Sequence, residues 1–223
     1  MFGQGEMVYN KNILVYKGRI IMYQKGIKRL LAVVLSLCGM LCLSWLFLIL
    51  AIAIKLDSPG PVFFKQKRVG RGKRHFYILK FRTMRIDTPH DMPTHLLHDP
   101  EQYITRVGRF LRKSKIDELP QLINVLVGDM SFVGPRPEVA DYVSLYTPYQ
   151  CQVLLVRPGI TGLASIRFRN ENDLLTASTD PNRTYIEQIM PRKIDLDLEY
   201  IPHASVLYDI KLIFQTFAVV IKE

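Results

Sequence analysis

Two adjacent carboxylates, Asp117 and Glu118, are the residues of this sequence best suited to chemistry on a charged substrate. They precede Pro120, which belongs in the first turn of a helix because its missing N–H is not needed there. Free N–H groups at a helix start favour anions, so we expect this position to lower the pKa of Asp117, keep it ionised and suit a bound phosphate. With Arg112, Lys113 and Lys115 nearby, the pair suits binding of both Mg²⁺ and phosphate. A capping carboxylate with solvated neighbours is the alternative that local features leave open.

A rigid loop provides a candidate phosphate-binding arginine. The run GDMSFVGPRPE (128–138) contains two glycines and two prolines, which fix an unusual backbone path around Arg136. A guanidinium is planar and matches phosphate oxygens in pairs, so Arg136 could clamp a diphosphate. Read in isolation, the same run is equally compatible with a structural turn whose arginine faces solvent.

Four further segments are weaker candidates. The run KFRTM (80–84) alternates basic and apolar residues like a half-buried strand, and one of its cations facing the acidic pair would help to neutralise a phosphoryl group, although a surface strand with solvated charges is the alternative. Phe168 lies between two arginines and could stack on a nucleotide base. The turn RPGITG (157–162) is expected to be structural. The loop 87–99 carries three histidines and three aspartates, and we interpret it as a mobile loop near the site rather than a metal centre. Those histidines are His90, His95 and His98.

A long apolar segment must anchor these residues. The 25 residues from Leu30 to Ile54 carry no charge. A straight helix of that length spans roughly 37 Å, more than the ~30 Å hydrocarbon core of a bilayer. A buried core helix would keep a polar stripe, and a cleaved signal peptide would be shorter and earlier in the chain. The sequence therefore predicts a leader (1–27), a membrane helix (28–56) and a catalytic domain (57–223).

The charge distribution favours a helix that enters and leaves the membrane on one face. The net charge is +10, and basic residues flank the apolar segment on both sides. Basic flanks stay in the cytoplasm, which a simple single span cannot satisfy at both ends. The basic runs also suit anionic lipid head groups. Two of the three cysteines lie in the apolar segment, and the lack of a disulfide framework fits a reducing cytoplasm.

The fold class predicted from these patterns is α+β and mainly helical. Strands are expected at 62–64 and 75–79, flanking the glycine-containing turn at 70–72. Apolar spacing predicts helices near 104–111, 119–126, 185–190 and 205–221, the second ending at Gly128. The apolar face of the last helix suits either a protein core or the membrane interface. In the second case it would be an amphipathic interfacial helix.

Taken together, these segments resemble the bacterial sugar transferases, or monotopic phosphoglycosyl transferases. The run DELPQLINVLVGDMSFVGPRPE (117–138) matches the signature block of that family. The run KLDSPGPVFFKQKRVGRGKRHFYILKFRTM (55–84) and the RPGITG turn match its flanking blocks in the same order. The similarity covers about residue 28 to the C-terminus, and several long motifs in order make it very specific.

The resemblance implies a reaction and a role for each candidate residue. A UDP-sugar would donate a sugar 1-phosphate to a polyprenyl phosphate such as undecaprenyl phosphate, in the first membrane step of a glycan pathway. Asp117 matches the family nucleophile, which holds the phospho-sugar covalently after expelling UMP. Glu118 matches the ligand of Mg²⁺, and Lys80, Arg112 and Arg136 match positions around the diphosphate.

The resemblance also implies a place in the cell. The expected location is the bacterial inner membrane, with the catalytic domain on the cytoplasmic side. No nucleic-acid partner is expected, and a homodimer is left open. The family's apolar segment is re-entrant, and a Ser-Pro pair commonly makes its break. Here Trp45 follows Ser44, and the segment has no proline, so a full span is the alternative.

Two other functions compete with the transferase. A non-enzymatic basic module that binds anionic lipid or nucleic acid would suit the charge of +10, but it gives no reason for the DELPQL and GPRP runs. A lipid-linked pyrophosphatase could use the same two carboxylates.

Overall fold

A computed structural model describes residues 26–88 and 100–221, and within them the chain is mainly helical with two small two-stranded sheets. This confirms the predicted α+β, mainly helical class. The placement of the chain in a membrane and the three predicted segment boundaries stay predictions. The three histidines of the loop 87–99 lie outside the described residues.

The elements follow the expected order, with more short turns than the sequence suggested. The helices are α1 (Ile27–Cys42), α2 (Ser44–Asp57), α3 (Arg106–Lys113), α4 (Gln121–Val127), α5 (Ala140–Ser144), α6 (Leu163–Arg167), α7 (Glu171–Thr176), α8 (Pro181–Thr184), α9 (Met190–His203) and α10 (Val206–Ile221). The strands are β1 (Phe63–Val69), β2 (His75–Phe81), β3 (Ser131–Val133) and β4 (Gly159–Thr161). Short 3₁₀ turns lie at Arg71–Lys73, Pro100–Tyr103, Ile116–Glu118 and Gln150–Leu155, and a π-helical turn at Tyr185–Ile189.

The apolar segment is not one continuous helix. It breaks at Leu43, and α1 and α2 meet at an angle of 61°. The Ser44 hydroxyl donates a hydrogen bond to the Leu41 carbonyl oxygen at 2.9 Å, and such back-bonding bends helices. The break expected from the resemblance is therefore present without its proline. Among the described residues no single helix is long and apolar enough to cross a bilayer, whereas this bent pair passes by length and composition.

One stripe of the bent pair packs against the rest of the protein. Ala32 lies in a core cluster with Phe76 and Val125. Ile54, from the second arm, packs with Phe81 of β2 and a leucine of α3. The opposite faces leave large apolar side chains exposed: Leu30, Val34, Leu35, Leu37, Leu41, Trp45, Leu48, Ile49, Ile52 and Leu56. A stripe of this kind fixes the pair to the domain and leaves a large apolar surface exposed.

Polar contacts tie both ends of the bent pair to the domain. At the start of α1, the buried Lys28 ammonium donates to the Val133 carbonyl oxygen and the Tyr200 hydroxyl, each at 2.8 Å. It also forms an ion pair of 2.9 Å with Asp209 of α10. A buried ion pair holds only when its remaining hydrogen bonds are also made, and here they are. The Lys28 cluster therefore links α1 to β3 and to the last helix.

Arg82 closes the other end of the pair. We predicted that the run 80–84 forms a half-buried strand, but β2 ends at Phe81, and Arg82 is 5% exposed. Its guanidinium donates to the Ser58 carbonyl oxygen at 2.7 Å and to the Pro59 carbonyl oxygen. The Asp57 carboxylate in turn accepts a hydrogen bond of 2.9 Å from the Val107 N–H, at the start of α3. These contacts fix α2, β2 and α3 relative to one another.

Two glycine-containing motifs meet backbone to backbone. β3 and β4 are parallel, with Gly134 following β3 and Gly159 starting β4. A Cβ on Gly134 would lie 2.5 Å from the Arg157 carbonyl oxygen, and one on Gly159 would lie 2.2 Å from the Gly134 nitrogen. Side chains cannot occupy such positions, so the close approach requires glycine at both. This confirms the structural role predicted for RPGITG.

The C-terminal helices build a separate apolar core. α9, α10 and the 3₁₀ turn at 150–155 contribute half of its buried residues: Val153, Met190, Ile194, Tyr200, Ile201 and Leu212. Phe168 packs against this cluster, so its ring serves the core, and base stacking by Phe168 stays a prediction. The two faces of α10 differ in exposure. Leu212 is buried, whereas Phe214 and Phe217 are 69% and 60% exposed.

Candidate active site

Asp117 and Glu118 lie in a one-turn 3₁₀ helix (Ile116–Glu118) between α3 and α4. Lys115 adopts a left-handed backbone with φ of 57°, which turns the chain sharply after α3. Pro120 then precedes the first residue of α4. The predicted position of the acidic pair, just before a helix, is confirmed.

Asn124 holds α4 against the free edge of β2. Its side chain accepts a hydrogen bond from the Leu79 N–H at 2.9 Å and donates one to the Tyr77 carbonyl oxygen at 2.8 Å. The amide thus replaces a neighbouring strand, which leaves Lys80 at the end of β2 beside Glu118. The sequence offered no signal for this contact beyond a polar residue within an apolar helix.

Glu118 lies at the centre of a cluster of cations. Its Oε1 accepts from the Lys80 ammonium at 2.7 Å and from one Arg136 nitrogen at 2.6 Å, and its Oε2 lies 3.4 Å from the other Arg136 nitrogen. Burial alone would raise the pKa of Glu118, but Arg136 and Lys80 hold it well below its usual range. Glu118 raises the pKa of Arg136 in return. Glu118 is therefore a carboxylate at neutral pH.

Asp117 has a different environment. Its residue is 8% exposed, and burial raises the pKa of its carboxyl, with the Lys80 charge acting in the opposite direction and the Glu118 charge adding to the rise. The predicted lowering of its pKa was wrong, because loss of water outweighs the favourable field of nearby cations and N–H groups. A poorly hydrated carboxylate is a stronger nucleophile than a solvated one, so the environment suits attack on phosphorus.

Arg112 completes the positive side of the site. Its Nε donates to the Thr83 hydroxyl at 2.9 Å, which directs the guanidinium from α3 towards the acidic pair. Burial lowers the pKa of Arg112, and the Asp117 charge opposes that shift. Lys113 is exposed, as is Lys115. The structure therefore brings together all five predicted site residues, Lys80, Arg112, Asp117, Glu118 and Arg136.

The two carboxylates fit a magnesium ion that arrives with a phosphate. Across residues 26–88 and 100–221 no group of three histidine, cysteine or acidic side chains forms a ready metal site. Mg²⁺ commonly uses one or two carboxylates, with the remaining positions filled by substrate phosphates and water. Glu118 Oε2 has only the longer 3.4 Å contact, so a lone pair there is available for coordination.

A variant of Lys80 tests the electrostatics of Asp117. The resemblance implies that Asp117 attacks as a carboxylate. Because burial raises the pKa of Asp117, turnover is then expected to rise with pH through that pKa. Lys80 is the strongest charge opposing the rise, so Lys80→Met should move the acidic limb of the kcat/KM profile to higher pH. Lys67→Met, on an exposed position of β1, is the control. Superimposable acidic limbs in the two variants would contradict this arrangement.

A second group of charges lies behind the Arg136 loop and was missed by the sequence analysis. Glu138, Arg68 and Lys193 come from three elements, and Glu138 forms ion-pair contacts with both cations at 3.4 and 3.7 Å. The only sequence signal was an acidic residue two positions after Arg136.

Comparisons with known proteins identify a family for this chain. The model of the family described as "Bacterial sugar transferase" matches residues 23–223. A UDP-glucose:undecaprenyl-phosphate glucose-1-phosphate transferase of Caulobacter vibrioides is 42% identical over 194 residues, covering 85% of this chain and 67% of the relative. A transferase of the same name from Xanthomonas campestris pv. campestris is 40% identical over 187 residues, covering 82% of this chain and 36% of the relative.

A third relative acts on a different sugar. It is a UDP-N-acetylgalactosamine-undecaprenyl-phosphate N-acetylgalactosaminephosphotransferase of Aeromonas hydrophila, 37% identical over 198 residues, covering 87% of this chain and 44% of the relative. The chain spans less than half the length of several curated relatives that it matches. From the family match over residues 23–223 and the clustered motif residues, we conclude that this chain belongs to the bacterial sugar transferase family.

Proposed function

We propose that this protein transfers a sugar 1-phosphate from a UDP-sugar to undecaprenyl phosphate through a covalent intermediate on Asp117. The observation that carries the proposal is a buried carboxylate with a raised pKa next to a second carboxylate held by Lys80 and Arg136. The names of three similar proteins support the donor and acceptor classes.

The proposed reaction has two displacements at the same phosphorus. In the first, an Asp117 oxygen attacks the phosphorus that bears the sugar, and the bond to the bridging oxygen breaks. UMP leaves with that oxygen, and an acyl phosphate between Asp117 and the sugar phosphate remains. In the second, an oxygen of undecaprenyl phosphate attacks the same phosphorus and expels the Asp117 carboxylate. The product is an undecaprenyl diphospho-sugar, and Asp117 is regenerated.

Lys80, Arg112 and Arg136 supply the positive charge that such a reaction needs. A diphosphate accumulates negative charge on its oxygens as the bridge breaks, and fixed cations in a partly dehydrated site stabilise that charge. Arg136 can bind two oxygens at once through its planar fork. In the absence of donor, Lys80 and Arg136 form ion pairs with Glu118.

Donor binding therefore involves an exchange of partners. Phosphate oxygens would take Lys80 and Arg136, and Glu118 would be left with a dehydrated charge that needs a new partner. A Mg²⁺ ion bound to Glu118 and the diphosphate would supply that charge and act as a Lewis acid on the phosphoryl oxygens. The exchange explains why one residue can hold two cations and still serve as a metal ligand.

We further propose that the bent pair α1–α2 is re-entrant and that the catalytic residues face the cytoplasm at the bacterial inner membrane. The 61° bend, the basic flanks and the exposed apolar faces support this placement, and the site would then lie where the lipid phosphate is found. Cysteines introduced into residues 1–25 should be labelled only after the inner membrane is made permeable. Labelling from the periplasm of intact cells would overturn the re-entrant placement.

A donor screen tests the function. Detergent-solubilised protein is incubated with Mg²⁺, undecaprenyl phosphate and a panel of UDP-sugars that includes UDP-glucose, UDP-galactose and UDP-N-acetylgalactosamine. We expect UMP release with at least one donor, and a lipid-linked sugar as the second product. Release of inorganic phosphate instead would indicate a pyrophosphatase, and no release from any donor would indicate a non-enzymatic module.

A further inference from the structure

The charges behind the Arg136 loop form a nearly closed network around Glu138. The Glu138 side chain is 12% exposed, and its Oε1 accepts a hydrogen bond from the Tyr185 hydroxyl. Lys193 lies 3.7 Å from the same oxygen and donates to Glu171 at 2.8 Å. Arg68 lies 3.4 Å from Oε2 on the opposite side. Two carboxylates and two cations thus balance in a region with little water.

Residues of the same network also form hydrogen bonds with the backbone of the Arg136 loop. The Val69 N–H donates to the Glu138 carbonyl oxygen at 2.9 Å, and Arg68 donates to the Pro137 carbonyl oxygen at 3.2 Å. β1 therefore holds the loop by its main chain, and Glu138 holds it by its side chain. Because Arg136 is only two residues away, any shift of this anchor moves the guanidinium that contacts Glu118.

Tyr185 supplies the contact from the C-terminal half. It is 3% exposed and begins the π-helical turn Tyr185–Ile189. Its ring packs against that of Tyr142 with 4.7 Å between centroids and a tilt of 47°. Burial raises the pKa of Tyr185, so its hydroxyl stays protonated and acts as a donor to Glu138. Single π-helical turns are uncommon and often lie at functional sites. Here the turn points a tyrosine at the loop of the proposed active site.

We propose that Glu138 is a positioning residue, held by Tyr185, Lys193 and Arg68, which sets the Arg136 guanidinium for the diphosphate of the donor. This inference rests on the proposed function, because the diphosphate is its ligand. Glu138 acts through Arg136. When Arg136 leaves Glu118 for the donor, Glu138 keeps the loop in place, so the guanidinium turns without the backbone following.

Two conservative variants test the role of this anchor. Glu138→Gln keeps the size and removes the charge, and Tyr185→Phe keeps the packing and removes one hydroxyl. Loss of an outer contact of this kind typically weakens a site about 10- to 100-fold, so we expect KM for the UDP-sugar to rise on that order. We expect kcat to change much less, because Asp117 is untouched. Glu187→Gln, on an exposed residue paired with Arg183, is the control for the same turn.

A double-mutant cycle separates positioning from general stability. In an Arg136→Ala background, Glu138→Gln should raise KM no further, because the group that it positions is already gone. Equal effects in both backgrounds would overturn the proposal, as would an unchanged KM in both Glu138→Gln and Tyr185→Phe. Calorimetry of UDP and Mg²⁺ binding to the wild type tests the proposed function separately from the role of Glu138. If the wild type neither binds UDP nor releases UMP, the proposed function itself fails.

Discussion

Asp117→Asn is expected to abolish UMP release while leaving the protein folded. An amide cannot form the acyl phosphate, so turnover should fall by at least about 10³-fold, the scale seen when a covalent nucleophile is removed. The fold should not suffer, because burial raises the pKa of Asp117, which means that folding disfavours its ionised form relative to the unfolded chain. That cost is absent at low pH and appears as the pH rises through the raised pKa. Asparagine removes it, and the variant should melt at or above the wild-type temperature.

Mass spectrometry identifies the intermediate directly. Wild-type protein incubated with a UDP-sugar and no lipid acceptor should gain the mass of one sugar phosphate on the peptide that contains Asp117. Asp117→Asn should gain none, and Asp129→Asn, on an exposed residue of the same region, should behave like the wild type. Full activity in Asp117→Asn would refute the nucleophile assignment. An adduct on another residue would relocate it.

Glu118→Gln is the second change with a large expected effect, and it acts on both stability and metal binding. Glutamine leaves Lys80 and Arg136 without their carboxylate, although both cations keep some contact with water. Breaking a partly buried ion cluster of this kind costs roughly 2–4 kcal/mol. Activity should fall about 10²-fold or more, because the proposed Mg²⁺ ligand is lost together with the charge that fixes Arg136.

The pH dependence of that stability loss follows from the pKa of Glu118. Its folded-state pKa is held well below the ordinary value, so the cluster stabilises the fold at neutral pH. That contribution is lost as the pH falls through the lowered pKa. The difference in the free energy of unfolding between wild type and Glu118→Gln should therefore be largest near neutral pH and shrink in acid. A difference independent of pH would show that the charge of Glu118 is not its source.

Metal binding gives a readout separate from activity. Mn²⁺ is a paramagnetic probe for a Mg²⁺ site, and its binding can be followed by electron paramagnetic resonance. We expect weak binding to the protein alone, because Lys80 and Arg136 compete for Glu118, and tighter binding once UDP is added. The UDP-dependent increase should be absent in Glu118→Gln and retained in Glu187→Gln. Equal binding with and without UDP would contradict the exchange of partners.

The residues of the site could be found from the sequence because their environment is mostly local. Pro120 predicted the helix that follows the acidic pair, and Gly128 ended it where expected. The glycines and prolines around Arg136 predicted a constrained loop. Family motifs added the roles of Lys80 and Arg112, and the structure places both at the site. Side-chain types, turn residues and apolar spacing are properties that neighbours in the chain decide.

Contacts between distant parts of the chain were not predictable in the same way. The field at the start of a helix favours an ionised Asp117, but the tertiary structure buries that carboxyl, and the loss of water reverses the shift of its pKa. The run 80–84 was predicted to form a half-buried strand, but the strand ends at Phe81 and packing directs the Arg82 side chain to the end of α2. The anchor around Glu138 joins residues 68 to 193, which no local pattern connects.

The sequence alone indicates the candidate site residues, the end of α4 at Gly128 and an apolar segment before the site. The tertiary structure decided how charge is distributed among those residues. It pairs Glu118 with two cations, leaves Asp117 dehydrated beside them, and bends the apolar segment at Ser44 without a proline. The physical reason is that hydration and ion pairing depend on which surfaces are buried together, and that is fixed only when the helices and strands pack.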